Sequence, residues 1–182
     1  MKKIAILISV GMMSVLTLSA QVEVAPPLVP IDESTGLITY KQVAEIPGVS
    51  KDILFDRAVE WGNGFFKNPS SVMSVKEKEN GKISGKHGIN VYKIVEGTKH
   101  RKGVVKYKLT IGIKEGKSRI MMTDIYFHQS PKIPLEKWLD PSDPNIADNY
   151  SFVGQVDEHM RKMMADFTKK MTTEAKAATD DW

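Results

Sequence analysis

The residues best equipped for chemistry in this chain are four histidines, His87, His100, His128 and His159, and a few carboxylates led by Asp124. None of the histidines stands in an HxH or HExxH spacing, so a metal site would need ligands gathered from distant parts of the chain. The chain has no cysteine, which excludes a thiol nucleophile, a thiolate-metal site and a lipid-modified N-terminal cysteine. It also has no Gly-x-Ser-x-Gly elbow, the usual signature of acyl transfer. The glycine-rich run GKISGKHG, 81–88, resembles a phosphate loop only superficially. Three residues separate Gly81 from Gly85 where that loop needs four, and His87 stands where a Ser or Thr would reach magnesium. A bulged strand is the better reading of that run. What remains for catalysis is a hydrolytic site assembled from Asp124, His128 and the proline-rich loop 129–148. Asp140 with Asp143, and Asp180 with Asp181, fall in loop and tail and are read as solvated charge. The basic run Lys99-His100-Arg101-Lys102 lies between two expected strands and is read as a solvated hairpin tip, with an anionic lipid or glycan surface as the functional alternative.

These residues need elements to hold them. LITYKQVAEI, 37–46, reads as a strand ended by Pro47-Gly48. Ser50 is a good N-cap and Asp52 suits the first turn. Ile53, Leu54, Ala58, Trp61 and Phe65 then recur at helical spacing. Phe55 and Trp61 lie on or near that stripe and are read as core, not as a ligand platform. Four strands should follow. SVMSVKEKE runs to Asn80-Gly81, whose phase suggests a three-residue loop with Val75 and Ile83 on one face. KISGKHGINVYKIV is the second strand. In GVVKYKLTIGIK, Val105, Tyr107, Leu109, Ile111 and Ile113 alternate with more polar neighbours, so one face is buried and the other wet. A two-residue turn at Glu115-Gly116 leads into KSRIMMTDIYFH. Residues 129–148 carry four prolines but also Ile133, Leu135, Trp138 and Leu139, so this loop should lie against the domain. A last helix carries Val153, Val156, Met160, Met163, Met164, Phe167 and Met171 at steps of three and four.

The turn at Glu115-Gly116 sets the register of the last strand. Ile120, Met122, Asp124 and Tyr126 should face the core, with Asp124 beside Tyr107. Arg119, Met121, Thr123, Ile125 and Phe127 should face the other way. A patch of Lys106, Lys108, Arg119, Met121, Ile125 and Phe127 would then lie on the sheet face away from the helices. Large apolar groups among cations need a cover, either Leu135 and Trp138 of the loop or a partner.

Residues 1–20, MKKIAILISVGMMSVLTLSA, have the layout of a secretory signal, with cleavage expected after Ala20. An extended leader, 21–36, precedes a domain over 37–175 and a frayed tail, 176–182. Without Lys2 and Lys3 the chain carries 24 basic and 22 acidic residues, a near balance that demands no polyanionic partner.

The segments TGLITYKQVAEIPGVSKDILFDRAVEW, EKENGKISGK and KYKLTIGIKEGKSRIMMTDI resemble an exported bacterial domain-of-unknown-function family with a TBP-like fold. The likeness covers roughly residues 35–127. It implies an α+β fold in the order β-α-β-β-β-β-α, with a curved antiparallel sheet and both helices on one face. It implies no activity, because none is established for the family. The resulting expectation is a non-catalytic exported domain, with no metal and no cofactor, that meets a protein, an envelope component or a second copy through its open sheet face. Nucleic acid is not an expected partner, and no transmembrane segment is expected once the signal is removed.

Overall fold

The computed structural model describes residues 25–173; the signal segment, the start of the leader and the tail 176–182 lie outside the described residues. Local chemistry starts the first helix where the sequence places it. The Ser50 hydroxyl accepts from the Ile53 N–H at 3.4 Å, and α1 runs over Lys51–Phe65 with Asp52 near its positive end. Leu54, Phe55, Ala58 and Trp61 are buried, whereas Ile53, expected in the stripe, is 49 % exposed. A short helix α2 (Pro69–Val72) follows.

The strands are β1 (Tyr40–Glu45), β2 (Val75–Glu77), β3 (Lys82–Val95), β4 (Thr98–Lys114), β5 (Lys117–Phe127) and β6 (Ile133–Pro134). They form one antiparallel sheet in the order β1-β5-β4-β3-β2, with β6 beside the end of β5. Leu135–Leu139 makes a 3-10 helix, and α3 covers Ile146–Thr172. Helices α1 and α3 pack on the same face of the sheet. There α3 buries Val153, Val156, Met160, Met163, Phe167 and Met171 in a core shared with Ile83, Tyr107, Leu109, Ile111, Ile120 and Met122. This is the α+β architecture, an antiparallel sheet with α1 and α3 on one face, that the sequence leads one to expect. Among the described residues no helix is long and apolar enough to cross a membrane.

The hairpin at Glu115-Gly116 has the expected register near its turn: Lys114 faces Lys117, Ile111 faces Ile120, and Leu109 faces Met122. Farther on, the register shifts. Lys108 faces Thr123 but Lys106 faces Tyr126, so Asp124 and Ile125 together oppose the single residue Tyr107. This is a β-bulge, and one extra residue moves every later side chain to the other face. Asp124 takes the turn at φ 49°, a conformation aspartate tolerates better than most residues. Three expectations are corrected here. Tyr126, expected on the core side, lies beside Lys106 on the opposite face. Ile125 and Phe127 are buried on the helix side at 3 % and 7 % exposure, and the Asp124 carboxylate is out in solvent, away from the core.

Three smaller expectations also change. The turn between β2 and β3 has four residues, Lys78–Gly81, and Val75 faces Ser84, so Val75 and Ile83 lie on opposite faces. The 99–102 run lies inside β4, and the hairpin tip is Glu96-Gly97. Gly85 marks no bulge. A Cβ there would come within 1.6 Å of the Val72 carbonyl oxygen, so its role is to let the end of α2 lie against β3. The bulge in that hairpin sits farther along, where Val91 faces Gly103 and Tyr92 faces Arg101. Past β2 the outer edge of β3 has no strand partner among the described residues, and Gln155 of α3 partly fills the gap. Its side-chain amide accepts from the Tyr92 N–H at 2.9 Å and donates to the Tyr92 carbonyl at 2.8 Å, which blunts the edge as a strand would.

Candidate functional site

The sheet face opposite the helices is built from strand alternation. Cross-strand register places its side chains in rows: Glu45, Lys117 and Lys114; Val43, Arg119, Gly112, Lys82 and Glu77; Lys41, Met121, Thr110, Ser84 and Val75; Thr123, Lys108 and Lys86; and Tyr126, Lys106 and Gly88. Eight of these residues are cations, Lys41, Lys82, Lys86, Lys106, Lys108, Lys114, Lys117 and Arg119, against the two carboxylates Glu45 and Glu77. Among the described residues only Lys117 has a carboxylate partner, Glu45 at 3.5 Å. Lys86 faces Lys108, and Lys114 faces Lys117, directly across strand pairs. Like charges in that relation destabilise a sheet. Lysine on an edge strand guards against aggregation, but β4 is flanked on both sides, so Lys106 and Lys108 need another explanation.

A groove of about 520 Å³ opens on this face, bordered by Val43, Lys82, Thr110, Gly112, Lys114 and Arg119. Gly112 supplies part of the room. A Cβ at that position would stand 3.8 Å from a terminal nitrogen of Arg119, so the guanidinium lies beside a bare stretch of backbone.

Of the six residues expected to form the patch, Lys106, Lys108, Arg119 and Met121 share this face, and Ile125 and Phe127 do not. Phe127 is covered by the chain itself. Its ring lies 5.1 Å from Trp138, which in turn lies 5.5 Å from Phe152 of α3. The proline-rich loop therefore does fold onto the domain, but against the core side. The sequence reading missed Lys41, Lys82, Lys86, Lys114 and Lys117. Alternation in KISGK and in YKQVAE carries the signal for Lys82, Lys86 and Lys41; the adjacency of all five comes from the pairing of separate strands.

Asp124 and His128 are not brought into a catalytic pair. Asp124 has an exposed ion pair with Lys132 at 3.9 Å, and the His128 Nε2 lies 3.2 Å from the Lys106 ammonium. A polar cavity of about 230 Å³ does lie beside the loop. Lys102, Gln129, Trp138, Asp143, Asp148 and Asn149 are among its walls, and Asp124 and His128 are not. Among the described residues no cluster of three or more His, Cys, Asp or Glu could hold a metal ion.

Two histidines that the sequence gave no reason to pair do meet under the helices. His87 stacks on Tyr107 at 5.8 Å between ring centres, and the Tyr107 hydroxyl is 3.5 Å from His159 Nε2. Phe65, Phe66 and Met163 lie against this group. Burial holds His159 well below the usual imidazole range, at about 4, and the nearby His87 and Lys162 charges push the same way. Burial likewise lowers His87 and raises the Tyr107 phenol. Neutral rings in an aromatic setting make this group part of the core.

Residues 40–128 match the family described as a domain of unknown function (DUF4468) with TBP-like fold. No curated protein matches the chain. A TBP-like protein from Parabacteroides distasonis has a similar crystal structure, with a TM-score of 0.65, 18 % identity, and coverage of 81 % of this chain and 99 % of that one. A DUF4468 family protein from Bacteroides ovatus is similar at a TM-score of 0.62 and 16 % identity, covering 81 % of this chain and 92 % of that one. At these identities the two structures speak to the fold alone. Residues 40–128 thus resemble the DUF4468 family, domains of unknown function, and the two solved structures share their TBP-like fold.

Proposed function

We propose that this chain is an exported, non-catalytic domain that engages an envelope partner through the open face of its sheet. The observation that carries the reading is the sheet's asymmetry: both helices and the apolar loop residues lie on one side, and the other holds seven cations without an ion pair among the described residues. A fold does not need that arrangement, because neutral polar residues would serve a solvated face as well. The reading of residues 1–20 as a secretory signal supports export, and the exported chain should begin at Gln21. Mass spectrometry of the mature fraction checks this, and an intact Met1 there would count against export.

The binding claim is tested by lysine footprinting. Lys86, Lys106 and Lys108 should be acylated readily in the purified protein and shielded in the native envelope fraction. Lys162 and Lys169 on the helix side should react alike in both. Equal reactivity of the sheet-face lysines in the two settings would remove the basis for an open-face partner.

A further inference from the structure

We infer that the occupant of this face is an anionic lipid surface, held by the phosphate headgroups. The inference rests on the open-face reading and names the chemistry that reading leaves open. Its starting point is charge segregation. Residues 21–182 carry 24 basic and 22 acidic residues, a net of +2. Among the described residues, 25–173, there are 23 basic and 18 acidic residues; the rows of the open face hold eight and two of these, a net of +6, which leaves fifteen and sixteen, a net of −1, for the rest. The positive excess of the described residues therefore lies on the open face, and such a concentration of charge draws that face toward a negative surface.

Composition then decides among negative partners. Seven of the eight cations are lysine and one is arginine. Protein interfaces are depleted in lysine and anchored by Trp, Tyr and Arg. Single-stranded nucleic acid is held on aromatic platforms that stack the bases. The rows carrying the cations contain a single aromatic ring, Tyr126, and the Lys132 ammonium already sits 4.6 Å from its centre. Lysines without aromatic anchors, spread over several strands, suit many mobile point charges, as a layer of phosphate headgroups provides. Lys86 beside Lys108 and Lys114 beside Lys117 repel one another in water and are relieved when counter-charges lie between them.

Vesicle co-sedimentation of the full chain tests the inference. The readout is binding to vesicles of phosphatidylglycerol mixed with phosphatidylcholine, minus binding to phosphatidylcholine alone, which cancels the apolar contribution of the N-terminal segment; the charge of Lys2 and Lys3 is common to wild type and variants and drops out of their comparison. The wild-type chain should prefer the anionic vesicles and lose that preference in high salt. The double neutralisation Lys86→Gln/Lys108→Gln should weaken it about twenty-five-fold, at about five-fold per lysine. Lys162→Gln/Lys169→Gln, on the helix side, should leave it unchanged. Thermal melts of both variants confirm that they fold. No preference for anionic vesicles in the wild-type chain overturns the inference, as does equal weakening by the helix-side pair. If vesicles are ignored while the face lysines remain shielded in the envelope fraction, the lipid assignment falls and the open-face reading stands. If that shielding is absent as well, both fall.

Discussion

The two faces of the sheet solve opposite problems with the same alternating strands. On the helix side, Leu109, Ile111, Ile120 and Met122 are fully buried against α1 and α3, and Trp61 joins them by packing on Phe167 at 5.1 Å and donating its indole N–H to Asp166 at 2.9 Å. Cations on the helices are also used locally: Arg161 bonds to Asp157, Lys170 to Glu60, and Arg57 to the Met171 carbonyl. On the open side, the same strands and their neighbours present eight cations, seven of which have no ion pair among the described residues. Several helix cations thus find partners within the molecule, whereas the cations of the open face, Lys117 apart, find no carboxylate partner among the described residues. Unmet charge gathered on one surface, more than any motif, is the basis for proposing a partner.

The largest way to break the comparison is to remove the cover. Deleting 146–182 strips α3 from the sheet, leaving the apolar side of β3, β4 and β5 bare. The truncated chain should aggregate instead of melting cooperatively. A soluble, cooperatively folding truncation would mean that α3 is dispensable to the core.

A sharper test works on the two faces within a single strand. Ile125→Lys puts an uncompensated charge into the core and should destabilise by about 3–5 kcal/mol, the usual size for an unpaired buried charge. Met121→Lys, four residues earlier and on the open side, should change stability by less than about 0.5 kcal/mol. Chemical denaturation of the two variants compares them directly, and similar losses would mean that β5 has no bulge.

The imidazoles under the helices give the next effect. His159 takes its proton at about 4 when folded, against an ordinary value of 6.5 when unfolded. Between those values the unfolded chain holds more protons, so the stabilisation is complete above pH 6.5 and is lost as pH falls toward 4. After allowance for partial solvent access the loss should be on the order of 2 kcal/mol, and His87 acts in the same direction. His159→Phe should flatten that part of the stability–pH curve. An unaltered slope would place the acid sensitivity elsewhere.

The smallest expected effect is on the open face. Lys86→Gln removes a like-charge neighbour of Lys108 and should leave stability unchanged or raise it by about 0.5 kcal/mol or less. A clear loss would show that the lysine is part of the fold's own support, which would weaken the case for an external partner.

By itself the sequence determined whatever depends on short-range periodicity and turn chemistry. The Ser50 cap, the methionine stripe of α3, the alternation of 104–114 and the pairing of Ile111 with Ile120 follow from local patterns. Neighbouring residues fix those features before distant parts of the chain meet. Tertiary structure decided the phase of β5 beyond Thr123. The bulge at Asp124 lets Phe127 reach Trp138, and Gly103 leaves room for that ring, since a Cβ there would come within 2.5 Å of it. That fit joins β4, β5 and a loop, and no period of two or 3.6 in any one of them announces it. The same holds for Lys86 beside Lys108 and for His87 near His159: each pair links residues far apart in sequence. Composition could count the charges on this chain, but only strand pairing could put eight cations and two carboxylates on one side of a sheet.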